Sequence, residues 1–96
     1  MMIEKKHVDG EQKCEIVVYA LSTCGWCRKT KAYLKDTGVA YDYIDVDRLE
    51  REDKQTVMKL LKEFHCDGSF PTTIINNQDV VIGYDVDRIK ELLEQY

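Results

Sequence analysis

Proline is almost missing from this chain. Pro71 is the only one in 96 residues, and glycine occurs five times. There are no Pro/Gly/Ser-rich linkers, internal repeats or low-complexity stretches, which excludes flexible spacers and solenoid architectures. No run approaches the roughly 18 consecutive apolar residues of a membrane-spanning helix. The mostly polar stretch from Met1 to Lys13 lacks the apolar region of a secretory leader. Positive charge is not in excess. Fourteen Lys and Arg against eighteen Asp and Glu leave a net charge of −4, which argues against nucleic acid or an anionic membrane surface as the main partner. A glycine-rich nucleotide-binding motif is missing too, so the chain does not draw electrons from NADPH by itself. The expected location is the cytoplasm, where a permanent disulfide framework is not expected. Four cysteines there point to redox chemistry or to metal.

What is present suits one compact domain. Hydrophobic residues make up 44 % of the chain, enough for a core without covalent staples. Residues 1–13 are charged and poorly patterned; they read either as a flexible extension or as a short hairpin turned at Asp9-Gly10 that adds an edge strand before the main fold. From Cys14 to Leu21 the chain holds Ile16-Val17-Val18-Tyr19-Ala20, a continuous apolar run typical of a strand buried on both faces. Ser22-Thr23 then offers polar caps, and a helix is predicted from about Gly25 to Thr37, stopped by Gly38. Tyr41 to Val46 reads as a second strand. A helical pattern runs from about Arg48 to Phe64, with Val57, Leu60, Leu61 and Phe64 on one face. A loop from Cys66 to Pro71 leads into a strand over Thr72 to Ile75. After a turn at Asn76-Asn77-Gln78-Asp79 comes a paired strand over Val80 to Ile82. Val86, Ile89, Leu92 and Leu93 mark a final helix. The order is β-α-β-α-β-β-α. The first two strands, joined through a helix, are expected to be parallel and the last two to form a hairpin. The result is an α/β fold with a four-stranded mixed sheet and helices on both faces.

The chemistry sits at Cys24-Gly25-Trp26-Cys27, where the apolar run ends and the first helix begins. Two cysteines three apart in the first turn of a helix share one face and can close a small disulfide. The helix amino end carries partial positive charge and unpaired N–H groups, which favour a thiolate. Cys24, nearest the helix end, is the expected nucleophile with a pKa below the ordinary thiol value. Cys27, one turn in and more buried, is the expected resolving thiol. The plainer readings are a pair of structural cysteines or half a zinc site. Trp26, between them, either packs on a bound partner or covers the helix start. Arg28, Lys29 and Lys31 read equally well as a solvated helix face or as positive potential beside Cys24. Tyr19 reads as core and Cys14 as structural.

The order of elements, with Cys24-Gly25-Trp26-Cys27 after the first strand, resembles the glutaredoxin branch of the thioredoxin fold over about residues 14–96. Val17-Val18-Tyr19 with Ser22-Thr23-Cys24 is similar to the family's first strand and active-site loop. The segment from Val39 to Asp47 is similar to its second strand, Ser69-Phe70-Pro71-Thr72 to its cis-proline segment, and Ile82-Gly83-Tyr84-Asp85 to the turn into its last helix. The resemblance implies a thiol–disulfide oxidoreductase that reduces protein disulfides through Cys24 and Cys27. It implies a cis bond before Pro71, with the Phe70 backbone facing outward beside Cys24, ready to pair with an extended substrate. It makes Trp26, Phe70, Pro71, Thr72 and Asp87 the candidate substrate- or glutathione-binding residues, with Ser69 a further polar group there.

Some positions depart from the pattern. Leu21 stands where the family usually has a lysine that meets a glutathione carboxylate. Gly83-Tyr84 replaces a double glycine, and the run to Asp87 looks more like the glutaredoxin-like electron donors of ribonucleotide reductase, which are served by thioredoxin reductase. No cofactor is expected to stay bound. The external reductant is glutathione or a thioredoxin reductase, with the latter expected to work at least as well. The expected partners are disulfide-containing proteins and that reductant, met by a monomer. Two alternatives stand beside this reading. One is glutathione-dependent deglutathionylation by Cys24 alone. The other is a protein that holds zinc or an iron–sulfur cluster through Cys24, for which His65-Cys66 supply further ligand types.

Overall fold

The computed structural model describes residues 5–64 and 69–95. His65 and Cys66, weighed above as metal ligands, lie outside the described residues.

Ile16–Ala20 forms a strand, here β2, in which every residue is buried. Its side chains alternate between two cores. Ile16, Val18 and Ala20 pack with Cys27 and Leu34 on one face, together with Ile89, Leu92 and Leu93. Val17 and Tyr19 pack on the other, with Ile44, Val46, Val57, Leu61 and Ile74. A strand covered on both faces needs no polar alternation, which explains the continuous apolar run. The helix α1, Gly25–Thr37, and α3, Val86–Leu93, cover the first face; α2, Arg51–Glu63, covers the second.

The strand β3, Tyr41–Asp45, lies parallel to β2, with Val17 opposite Asp42 and Ala20 opposite Asp45. On the other side of β2 runs β4, Thr72–Ile75, antiparallel, with Tyr19 opposite Thr72. The hairpin strand β5, Asp79–Ile82, follows it. Asn76 and Asn77, both with φ near +57°, make the turn, a conformation that asparagine tolerates better than most residues. Gly38 ends α1 at φ 78°, its N–H bonded to the Lys35 carbonyl, the left-handed stop the sequence indicates. Between β3 and α2 a short 3-10 turn, Val46–Arg48, takes up part of the predicted helix.

The strand count is corrected. The described residues form five strands in the order β1-β3-β2-β4-β5. The extra one, β1, is Lys6–Val8, antiparallel to β3 rather than hairpinned to β2. Three mostly exposed residues carry no apolar alternation, so hydrophobic pattern does not reveal it. Side chains and backbone hold it instead: His7 Nδ1 meets Asp42 Oδ1 at 2.6 Å. The Glu11 N–H reaches the Gly38 carbonyl at 2.7 Å, and the Glu11 carbonyl accepts from Ala40 N–H at 2.9 Å. Gly10 is required for this approach, because a Cβ there would lie 2.6 Å from the Val39 carbonyl carbon.

Candidate active site

Topology brings three connections to one end of the sheet. The loop after β2 carries the cysteines. The antiparallel register of β4 sets its first residue, Thr72, beside Tyr19, so Pro71 approaches the same end. The turn after β5 follows, because Ile82 lies opposite Thr72 and Gly83 N–H donates to the Pro71 carbonyl at 2.7 Å. The Phe70-Pro71 bond is cis.

Cys24 is the N-cap of α1, in extended conformation. Its Sγ accepts a hydrogen bond from Cys27 N–H at 3.3 Å, taking the place of the oxygen that a serine or aspartate cap would present. Both thiols are free, with Cys24 half-buried and Cys27 fully buried. Partial burial works against the Cys24 thiolate. It is overcome by a hydrogen bond from the Cys27 thiol, the Cys27 and Trp26 N–H groups and the Arg28 guanidinium, so the pKa lies below the ordinary thiol value. Cys27 goes the other way. Burial first, then its hydrogen bond to Cys24 and the Cys24 charge, push it up to about 11; the Leu21 backbone and Lys31 pull it back only in part. The two thiols are thereby separated, one half-buried and shifted toward the thiolate, one enclosed and shifted toward the thiol.

The arrangement can carry out thiol–disulfide exchange. The chain matches the glutaredoxin family model over residues 16–80. It belongs to the glutaredoxin family. The glutaredoxin of Methanosarcina mazei Go1 is 42 % identical, with a TM-score of 0.87 over 93 % of this chain and 86 % of that one. Methanoredoxin of Methanosarcina acetivorans is 44 % identical, with a TM-score of 0.83 over 88 % of each. The glutaredoxin-like 8.6 kDa protein in the rubredoxin operon of Clostridium pasteurianum is 31 % identical over 83 % of this chain and 99 % of its own length. The fold is thioredoxin-like, and the molecule is a glutaredoxin-type thiol oxidoreductase. Among the described residues no helix is long and apolar enough to cross a membrane.

In this glutaredoxin the remaining site candidates fall into two groups. Trp26 is 56 % exposed and lies against Tyr84, ring centroids 5.5 Å apart at 35°. The Lys29 ammonium sits 4.5 Å over the Trp26 ring. These three form an open aromatic shelf next to the cysteine loop. Phe70, Pro71 and Thr72 are more enclosed. Phe70 packs against both cores, Pro71 and Thr72 are buried, and the Thr72 hydroxyl donates to the Ser69 carbonyl at 2.6 Å. Thr72 therefore shapes the proline loop from within. Asp87 is exposed in the first turn of α3; burial first, and then the Asp87 charge, raise the pKa of the Tyr33 hydroxyl. Tyr19 is core and Cys14 is buried.

One residue is not singled out as a site candidate from sequence. Tyr84 is seen there only as half of a shortened glycine turn; the ring contact with Trp26 joins β5–α3 to α1 across the fold, and no local spacing signals it. Of the two readings of Lys31, the solvated face does not hold: its Nζ is 2.9 Å from Asp45 Oδ1 with both side chains largely covered. Ser22 adds a third anchor. Its N–H and hydroxyl both donate to Asp47, at 2.8 and 2.5 Å, which tie the cysteine loop to the end of β3 and lower the Asp47 pKa.

Proposed function

We propose that this glutaredoxin reduces protein disulfides by a dithiol route. The observation that carries it is a half-buried Cys24 at the N-cap of α1, its Sγ accepting the Cys27 N–H at 3.3 Å, with Cys27 fully buried one helical turn in. The Cys24 thiolate attacks a substrate disulfide; a Cys24–substrate bond forms, and one substrate sulfur leaves as a thiolate and is protonated. Cys27 then loses its proton and attacks Cys24 Sγ. The Cys24–Cys27 bond forms, the mixed disulfide breaks, and the second substrate thiol departs. The substrate gains two electrons, and an external donor returns them to the cysteine pair. The cis Phe70-Pro71 segment and the Trp26–Tyr84 shelf supply the docking surface for an extended substrate.

Thioredoxin reductase with NADPH is our proposed donor. Leu21 supplies no cation beside the site, and the Tyr84 ring lies against Trp26 at the position where the family's second glycine would present no side chain. The test is insulin reduction driven by NADPH with thioredoxin reductase, compared with glutathione and its reductase. The first system should turn over at least as fast. Cys27→Ser should stop at a mixed disulfide visible by mass. A Cys27→Ser protein that turns over fully with glutathione would replace this reading with the monothiol route.

A further inference from the structure

The dithiol route leaves one step without a driver. Cys27 is fully buried and holds its proton up to about pH 11, yet it must be a thiolate to resolve the mixed disulfide. Once Cys24 is bonded to substrate its negative charge is gone, which removes one of the groups opposing Cys27. What remains in reach is the Leu21 backbone and the Lys31 ammonium, both acting toward the thiolate.

Lys31 is placed for this by three separate anchors. Its ammonium is bonded to Asp45 Oδ1 at 2.9 Å and sits 4.0 Å over the Tyr43 ring. Its own carbonyl accepts the Tyr41 hydroxyl at 3.2 Å. The side chain is 19 % exposed and that of Asp45 12 %. A lysine on a solvated face would spend its charge in water. This one is held one helical turn after Cys27, with its stem on α1 and its head against the last residue of β3. That residue lies opposite Ala20, the strand end just before Leu21. The charged and titratable groups around Cys27 are therefore Cys24 from the loop and Lys31 from its own helix, with Asp45 and Tyr43 of β3 behind Lys31.

We propose that Lys31, fixed by Asp45 and the Tyr43 ring, is the positioning residue for the second half-reaction: its ammonium favours the Cys27 thiolate that attacks Cys24 Sγ. Lys31 touches neither sulfur of the bond that breaks; it acts through Cys27. The inference rests on the dithiol reading. The electrons and atoms are those of that step: Cys27 releases its proton to solvent, the Cys24–Cys27 bond forms, and the leaving substrate sulfur takes up a proton.

The test separates the two half-reactions with one equivalent of a bis(nitrothiobenzoate) disulfide, whose released thiolate is yellow. In stopped flow the first release reports attack by Cys24 and the second reports resolution by Cys27. Cys24→Ser and Cys27→Ser proteins assign the phases. Lys31→Met should slow the second phase about tenfold at neutral pH, the effect of displacing the thiol titration by about one unit. Its pH profile should move toward alkaline values, while the first phase stays within about twofold. Lys31→Arg should restore most of the second phase. If Lys31→Met does not fold, Lys31→Gln, which still reaches Asp45, gives the same reading. An unchanged second-phase profile, or equal slowing of both phases, overturns the proposal. Phases that do not map to Cys24 and Cys27 in the parent protein overturn the dithiol reading itself, and are recognisable as that.

Discussion

Two helices of thirteen residues begin in opposite ways. The helix α2 starts at Glu50 without a side-chain cap, and places Glu52 and Asp53 in its first turn. Those carboxylates answer the partial positive charge of the helix end. The helix α1 starts at Cys24 and has no acidic residue in its first turn. Its amino-end field is left for a sulfur. The cost is a cap weaker than serine or aspartate would provide. The return is a Cys24 thiol whose pKa the same N–H groups lower. The difference teaches that an active site here is made partly by what is withheld from a helix start.

The largest expected effect comes from giving α1 an ordinary cap. Cys24→Ser should lose insulin reduction below detection, because the hydroxyl is no nucleophile here. Stability should hold or rise by about 0.5 kcal/mol, since serine is a favoured N-cap. Thermal unfolding measured beside turnover checks both halves. A Cys24→Ser protein with measurable turnover would falsify the assignment of Cys24 as nucleophile.

Making α1 begin like α2 comes next. Gly25 has nothing within 4 Å of where a Cβ would stand, so Gly25→Asp fits without displacement. The new carboxylate opposes the Cys24 thiolate and raises its pKa. Iodoacetamide alkylation of Cys24 at neutral pH should slow about five- to tenfold, and the deficit should vanish above the pKa values of both proteins. Helix stability should rise by about 1 kcal/mol, because glycine is replaced and the helix end gains an acid. Activity and stability moving in opposite directions is the signature expected of this contrast.

How far was this site legible in the sequence? The cysteine pair at a strand–helix junction and the stop at Gly38 are local, and each follows from a few adjacent residues; the cis bond before Pro71 is implied only by the resemblance to the family. The two-faced burial of Ile16 to Ala20 is legible because apolar continuity is a strong signal. The edge strand Lys6–Val8 is legible only as one of two options and without its partner β3, since polar contacts rather than buried surface hold it. The placement of Lys31 and the role of Tyr84 escape for a related reason. Their partners, Asp45 and Trp26, are distant in the chain, and only the assembled sheet brings them together.

Within α1 the second cysteine sharpens the contrast through pH. The Cys27 thiol ionises near 9 when unfolded and is pushed up to about 11 when folded. Between those values the folded protein holds a proton that the unfolded chain has released, so stability falls as pH rises through that window and is fully present below it. Urea unfolding of the reduced protein at a series of alkaline pH values should show this decline relative to Cys27→Ala. The two proteins losing stability in parallel would mean that Cys27 ionises alike in both states.

The smallest effect should come from stripping α2. Glu52 is exposed in the first turn of α2, on a different helix from the cysteines. Glu52→Gln removes one charge from the helix start and keeps the shape. Stability should drop by about 0.5 kcal/mol at low ionic strength and less in salt. The Cys24 alkylation rate should not change, because the field at α1 is local to its own first turn. Were that rate to move by more than about twofold, the two helix starts would be electrostatically linked, and the thiolate at Cys24 would depend on the charge of the whole molecule rather than on what its own helix leaves uncovered.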